Sequence, residues 1–195
     1  MKEQKAGVAQ KICIIAGVCL LVIATALLIF WRWNVVSAQQ EAAGYVQTLR
    51  TLIPNPRDAV PEERRDNAMS VLSIDGKDFV GIIELPRYGS ALPVCADWGN
   101  TSRYPCRFSG SIYNGTMQIG GTTQEGQYDF YRELSVGDRV VFTDMEGNRY
   151  TYQVTALRTA EHVDQAALGK EPAALTLFIQ NIYSFEYLIV FCNSK

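Results

Sequence analysis

Twenty consecutive residues without a charge, Ile12 to Trp31, constrain this chain more than anything else in it. A helix rises about 1.5 Å per residue, so this run makes roughly 30 Å, enough to cross a bilayer's hydrocarbon core. Lys2, Lys5 and Lys11 precede it, and Trp31 and Trp33 close it. Those are a positive cytoplasmic flank and an interfacial aromatic anchor. A cleaved secretory signal would have a shorter apolar region, about 7–15 residues, ending at small residues. This run ends in Phe-Trp-Arg-Trp instead. A buried core helix would need a matching apolar partner, and the neighbouring sequence offers none. The expectation is a cytoplasmic tail over 1–11, a retained single-pass anchor over 12–33, and everything after Arg32 outside the cell.

Residues 34–53 read as a helical stalk. Val35, Val36, Ala43, Tyr45, Val46 and Leu49 fall loosely on one stripe, while Gln39, Gln40 and Glu41 suggest a solvated surface. Pro54, Pro56 and Pro61 break the helix, and the charged stretch PEERRDNA reads as an exposed linker. The boundary falls near Ser70, so stalk and linker span 34–70. What remains, 71–195, is about 125 residues, a normal size for one domain.

That remainder reads as all-β. FVGIIEL is a short apolar strand stopped by Pro86 and the Tyr88-Gly89 turn. RVVFTDMEGNRYTYQV predicts a hairpin, with Val140 and Phe142 on one arm and Tyr150, Tyr152 and Val154 on the other. Met145 to Asn148 supply its turn, with Gly147 suited to positive φ. LTLFIQ and YLIVFC are further strands, and short helices are expected around 129–134 and 163–168. Several short strands with polar turns imply a closed or nearly closed barrel. Lys and Arg total 18 against 20 Asp and Glu, with no basic block, so nucleic acid is not an expected partner.

The ordered series GIIELPRYGSALPV, PCRFSGSIYNGTMQIGG, FYRELSVGDRVVFTDMEGNRYTYQV, LTLFIQ and YLIVFC resembles the sortases, of the class B type or another bacterial branch. Sortases are membrane-anchored cysteine transpeptidases that attach surface proteins to the cell wall. The resemblance implies an eight-stranded β-barrel with short helices behind one N-terminal transmembrane helix. In that family a Cys thiolate ends a TLxTC strand and attacks the sorting-motif peptide bond to form an acyl-enzyme. A His that follows a Gly handles protons, and an Arg on the last strand stabilises the oxyanion.

Carried over residue by residue, the resemblance places none of the three here. Leu175–Phe178 match the strand, but Ile179 stands at the second Thr of the motif and Gln180 where the Cys belongs. Gly121 matches the glycine, and Thr122 falls on the His position. Tyr187 matches the Arg. A Gln amide has no accessible anionic form, so the covalent route has no starting point at Gln180. Losing a nucleophile from a concerted site removes on the order of 10⁶ in rate. Thr122 would need a partnered base, and none is recognisable. The expectation is a sortase-fold protein with no intact catalytic residue at Thr122, Gln180 or Tyr187. It would bind sorting-signal peptides or an active sortase, or scaffold surface-protein assembly. The alternative is an active transpeptidase with a relocated nucleophile.

Cys13 and Cys19 in the anchor read as apolar fillers. Outside, Cys95, Cys106 and Cys192 allow one disulfide and one leftover thiol. The resemblance favours Cys106 with Cys192, because relatives carry cysteines at both places, and Cys95 with Cys106 is the next option. No cation that would lower a thiol pKa is visible beside Cys95. His162, the single histidine, reads as a surface residue. Glu125, Asp129, Asp138, Asp144 and Glu146 raise Ca²⁺, which some sortases bind. They lack EF-hand-like spacing, and turns explain Asp138 and Asp144, so no cofactor or metal is expected.

Overall fold

The computed structural model of the chain describes residues 2–58, 68–99, 101, 103–124 and 126–194. Pro61, most of the expected linker and Glu125 lie outside the described residues, as do the side chains of Lys2, Lys5, Lys11 and Cys13. Helix α1 runs Lys2–Leu52. Its end is set by Pro54, which cannot donate a helical hydrogen bond and clashes with the preceding turn. The chain divides into two compact units, Met1–Ser37 and Ala38–Lys195.

In the first unit the apolar side chains from Ile14 to Trp33, including Ile15, Leu21, Leu28 and Ile29, are exposed. Residues 14–52 form one helix, among the described residues, long and apolar enough to cross a membrane by length and composition.

The second unit carries ten strands among its described residues. These are β1 Arg57–Asp58, β2 Leu72–Ile74, β3 Lys77–Leu85, β4 Ser90–Cys95, β5 Cys106–Ser109, β6 Met117–Thr122, β7 Arg139–Asp144, β8 Asn148–Ala160, β9 Leu175–Gln180 and β10 Tyr187–Ser194. Pairing runs β8-β10-β9-β6-β5-β4-β3, and β7 bonds both β3 and β8. The eight strands β3 to β10 therefore close into a barrel, with β1 and β2 as short additions. The closure is thinnest between β4 and β5, which meet at one residue pair.

The expected hairpin is β7–β8, with Val140 opposite Tyr152 and Phe142 opposite Tyr150. Its turn depends on Gly147 at φ +82°, a left-handed conformation that side chains rarely adopt. The expected short helices are a 3₁₀ turn at Tyr131–Glu133 and α2 at Gln165–Leu168.

Strand alternation sorts the side chains. Met117, Ile119, Phe142, Leu175, Leu177, Ile179, Val190 and Cys192 fill the main core. On the other face of β9 and β10, Phe178, Ile189 and Phe191 pack with Leu168 of α2.

A third cluster overturns one expectation. Residues 38–53 are not a solvated stalk. Ala42, Tyr45, Val46, Leu49 and Ile53 pack against Phe79, Ile82, Cys95, Tyr104 and Cys106 of the barrel. Glu41, read as solvated, accepts from Lys77 Nζ and Arg103 Nη1, both at 2.7 Å. Lys77 Nζ also donates to the Tyr45 hydroxyl at 2.9 Å. Glu41 sits below the usual carboxylate range because the Lys77 hydrogen bond favours its charged form. The boundary expected near Ser70 falls inside this unit, because residues 38–53 are held by buried apolar area and an ion-pair network.

Candidate functional site

Three adjacent strands build the site. β6 and β9 run parallel with Thr122 opposite Gln180. β9 and β10 run antiparallel with Gln180 opposite Tyr187. Laterally paired residues project to the same face of a sheet, so Thr122, Gln180 and Tyr187 form one row across three strands. Tyr187 belongs to the cluster of Phe178, Ile189 and Phe191, so the row lies on the outer face of the barrel wall. The structure therefore brings three residues into one row though they lie far apart in the chain.

Thr122 is buried, while Gln180 and Tyr187 are half-buried. The Thr122 amide donates to Gln127 Oε1 at 3.0 Å, and its hydroxyl accepts from the Gln124 amide at 3.4 Å. Neither partner is a base. The Thr123 amide donates to the Gln180 carbonyl at 2.9 Å, and the Thr123 hydroxyl accepts from the Ile182 amide at 3.2 Å. These bonds tie the ends of β6 and β9 together, so the row is rigid. Tyr187 is opposite Ala160 on β8, so the row continues into an apolar residue. Its members are one hydroxyl, one amide, one phenol and one methyl. It holds no carboxylate, ammonium, guanidinium, imidazole or thiol.

The thiols lie elsewhere. Cys192 faces Leu175, five residues along β9 from Gln180, or about 17 Å at the usual strand rise. It is buried in the main core, where burial pushes its pKa up to about 12. The structure does not bring Cys106 and Cys192 together. β6 and β9 separate their strands, three spacings of about 4.8 Å exceed the roughly 7 Å limit for bridged Cα atoms, and the sulfurs belong to different cores. The pair brought into register is Cys95 and Cys106. The Cys95 pKa is pushed up, first by its hydrogen bond with Cys106 and then by burial, the opposite of what a nucleophile needs. His162 is exposed, in the bend after β8.

Among the acidic residues, Asp144 serves its turn. Its carboxylate accepts from the Glu146 and Asn148 amides at 3.0 and 2.8 Å. Asp138 accepts from Arg87 Nη1 and the Tyr88 hydroxyl, both at 2.6 Å, and from the Ser135 amide at 2.9 Å. Asp129 accepts from the Gly126 amide at 3.4 Å. Among the described residues, no three His, Cys, Asp or Glu side chains gather as a metal site.

The sequence did not reveal the aromatic patch beside the row. Trp98, Phe108 and Phe178 meet with ring centroids 4.9 to 5.4 Å apart. Trp98 and Phe108 remain 44% and 39% exposed, which leaves apolar area open to a ligand. The patch sits over Gly120, two residues before Thr122, where a β-carbon would overlap the Trp98 and Phe178 rings. Its members come from the loop after β4, from β5 and from β9, so no local pattern announces them. Beyond the row, the β9–β10 turn holds Asn181, whose Nδ2 donates to the Tyr131 hydroxyl at 2.7 Å. The same hydroxyl accepts from Arg132 Nε at 2.9 Å. Tyr131, Arg132, Asn181, Glu186 and Tyr187 line a cavity of about 190 Å³.

No protein-family model and no curated protein matches the sequence. Solved structures do match. Sortase A from Corynebacterium diphtheriae superposes with a TM-score of 0.52 at 16% identity, covering 83% of this chain and 84% of that one. Its lid mutant gives the same score and identity over 61% of this chain and 71% of that one. Streptococcus agalactiae sortase C1 gives 0.51 at 16% identity over 60% and 69%. At such identity the likeness is one of fold. The barrel described above is a sortase-like eight-stranded barrel.

Proposed function

We propose that this chain is a membrane-anchored, extracytoplasmic sortase-like protein. It holds an extended peptide, or the matching segment of a surface protein, without cutting it. One observation carries the reading: the row Thr122–Gln180–Tyr187 occupies one face of three strands and contains no thiol and no cationic side chain, and its one aliphatic hydroxyl, Thr122, has no base beside it. Acyl transfer at a sortase-type site begins with a thiolate, and an amide cannot replace it. The remaining features suit retention of a chain. A half-buried amide and phenol can bond an extended backbone, and the Trp98–Phe108–Phe178 patch can bury apolar side chains beside it. The positive charges of Lys2, Lys5 and Lys11 before the apolar run support a cytoplasmic N-terminus and an outer barrel.

The test uses the full chain in detergent micelles with fluorescent peptides that carry sorting motifs. Anisotropy reports binding, and chromatography reports cleavage or transfer to an added amine. Saturable binding with no turnover supports the reading. Turnover abolished by thiol alkylation, and by one Cys→Ala substitution, establishes an active transpeptidase with a relocated nucleophile. No binding to any peptide leaves only a structural or partner-scaffolding role.

A further inference from the structure

β4 and β5 meet at a single residue pair, Cys95 and Cys106. The Cys95 amide donates to the Pro105 carbonyl at 2.9 Å, which fixes the approach of the two strands. Paired Cα atoms on neighbouring strands lie about 4.8 Å apart, inside the range of about 4.4 to 6.8 Å that a disulfide spans. Both residues are thiols in this structure, in hydrogen-bond contact with each other. They are 4% and 0% exposed. They lie in the cluster that Tyr45, Val46 and Leu49 of α1 cover.

The loop between them, 96–105, reaches in two directions. Trp98 packs on Phe178 with centroids 5.3 Å apart, and the Thr101 carbonyl accepts from Gln127 Nε2 at 3.1 Å. Gln127 in turn holds the Thr122 amide. On the other side Arg103 bonds Glu41, and Tyr104 packs edge-on against Tyr45 with centroids 5.8 Å apart. One loop therefore touches both the aromatic patch and the docked helix.

The geometry points to Cys95 and Cys106 as a disulfide in the exported protein, a staple that closes the 96–105 loop and holds Trp98 over Gly120. The exchange balances as two thiols plus one disulfide oxidant. Each thiol gives up its proton, a bond forms between the two Sγ atoms, and the oxidant's disulfide accepts the electron pair and both protons to leave as a dithiol. Because α1 covers the pair, the oxidant must reach it before the helix docks. Once folded, either redox state persists. Cys192, in the other core, stays a thiol. The effect on peptide retention rests on the function proposed above, whereas the bond itself does not.

The test uses the full chain carrying Trp31→Phe and Trp33→Phe, so that Trp98 is the one remaining tryptophan. It is refolded in micelles with either oxidised or reduced glutathione. Alkylation in denaturant followed by peptide mapping is expected to show that the oxidised sample has lost two alkylatable thiols. A linked peptide pair should contain Cys95 and Cys106. Acrylamide quenching of Trp98 should be weaker in the oxidised sample than in the reduced one. The wild-type map needs no cysteine variant to fold, and Cys95→Ser adds a second check in which the linked pair disappears. Full alkylation after oxidative refolding, or a link through Cys192, overturns the proposal. Neither readout involves a peptide, so failure here and failure of peptide binding are separate results.

Discussion

Thr122 and Gln180 are direct partners across the parallel β6–β9 ladder, at the strand ends where the Thr123 amide bonds the Gln180 carbonyl at 2.9 Å. Their placement allows the proposed lack of acyl-transfer chemistry to be tested by substitution at these positions. Gln180→Cys alone supplies a thiol with no imidazole in the row to take its proton, so peptide turnover stays at background. The triple change Thr122→His, Gln180→Cys and Tyr187→Arg puts all three groups on one row and should raise turnover above the single variant. Contributions of such groups are strongly non-additive. Turnover by Gln180→Cys equal to that of the triple variant, read by peptide cleavage, would count against this site.

The aromatic patch makes a second prediction. Trp98 has the size and partial exposure of a binding anchor, and truncation of such anchors costs about 2 kcal/mol or more, roughly thirtyfold in Kd. Trp98→Ala should weaken peptide binding by that factor, with circular dichroism unchanged. An affinity within twofold of wild type would remove Trp98 from the site.

Gly120→Ala tests the same surface from below. The new methyl group overlaps the Trp98 and Phe178 rings, and Trp98, being half open, is the one that can yield. Overpacking usually costs about 1–3 kcal/mol, and an exposed neighbour puts this case at the low end. The expected result is a red-shifted Trp98 emission with a small loss in thermal midpoint, measured in the Trp31→Phe, Trp33→Phe background.

Leu49 is fully buried between α1 and the barrel. Leu49→Ala should cost about 2–5 kcal/mol, as for other buried leucines. A solvated stalk would lose almost nothing. Denaturant midpoints of the two proteins decide between them.

Asp138 predicts a pH dependence. Burial raises its pKa, but hydrogen bonds from Tyr88, Arg87 and the Ser135 amide outweigh burial and hold it below its ordinary value of 3.8. A carboxylate depressed on folding stabilises the protein above its unfolded pKa, and that stability is lost as pH falls through the folded value. Asp138→Asn should therefore cost about 1–3 kcal/mol near neutrality. The gap from wild type should narrow below about pH 4. A gap constant across that range, measured by thermal melts, would contradict the assignment.

What the sequence revealed and what it hid divide along physical lines. Local pattern was enough for β7–β8, where Val140 and Phe142 meet Tyr152 and Tyr150 around the Gly147 turn, and for the apolar runs of β9 and β10. The row was legible only through the family resemblance, because nothing in the spacing of Thr122, Gln180 and Tyr187 foretells a shared register. The docking helix was misread because Glu41 looked solvated, when its cation, Lys77, lies on β3 far along the chain. The stripe Ala42, Tyr45, Val46, Leu49 and Ile53 is regular in hindsight. The Cys106–Cys192 expectation failed for a similar reason. Which thiols meet depends on strand order, and the single β4–β5 bridge has no signature in either strand.

The proposed absence of covalent chemistry is tested most directly by intact-mass analysis of the full chain after incubation with a sorting-motif peptide, quenched in acid to preserve thioesters. With an amide at position 180 and every described thiol of the barrel buried, only the unmodified mass should appear, even when anisotropy shows the peptide bound. A mass increment equal to the acyl portion of the peptide, mapped to any cysteine, would contradict that reading and establish a working transpeptidase.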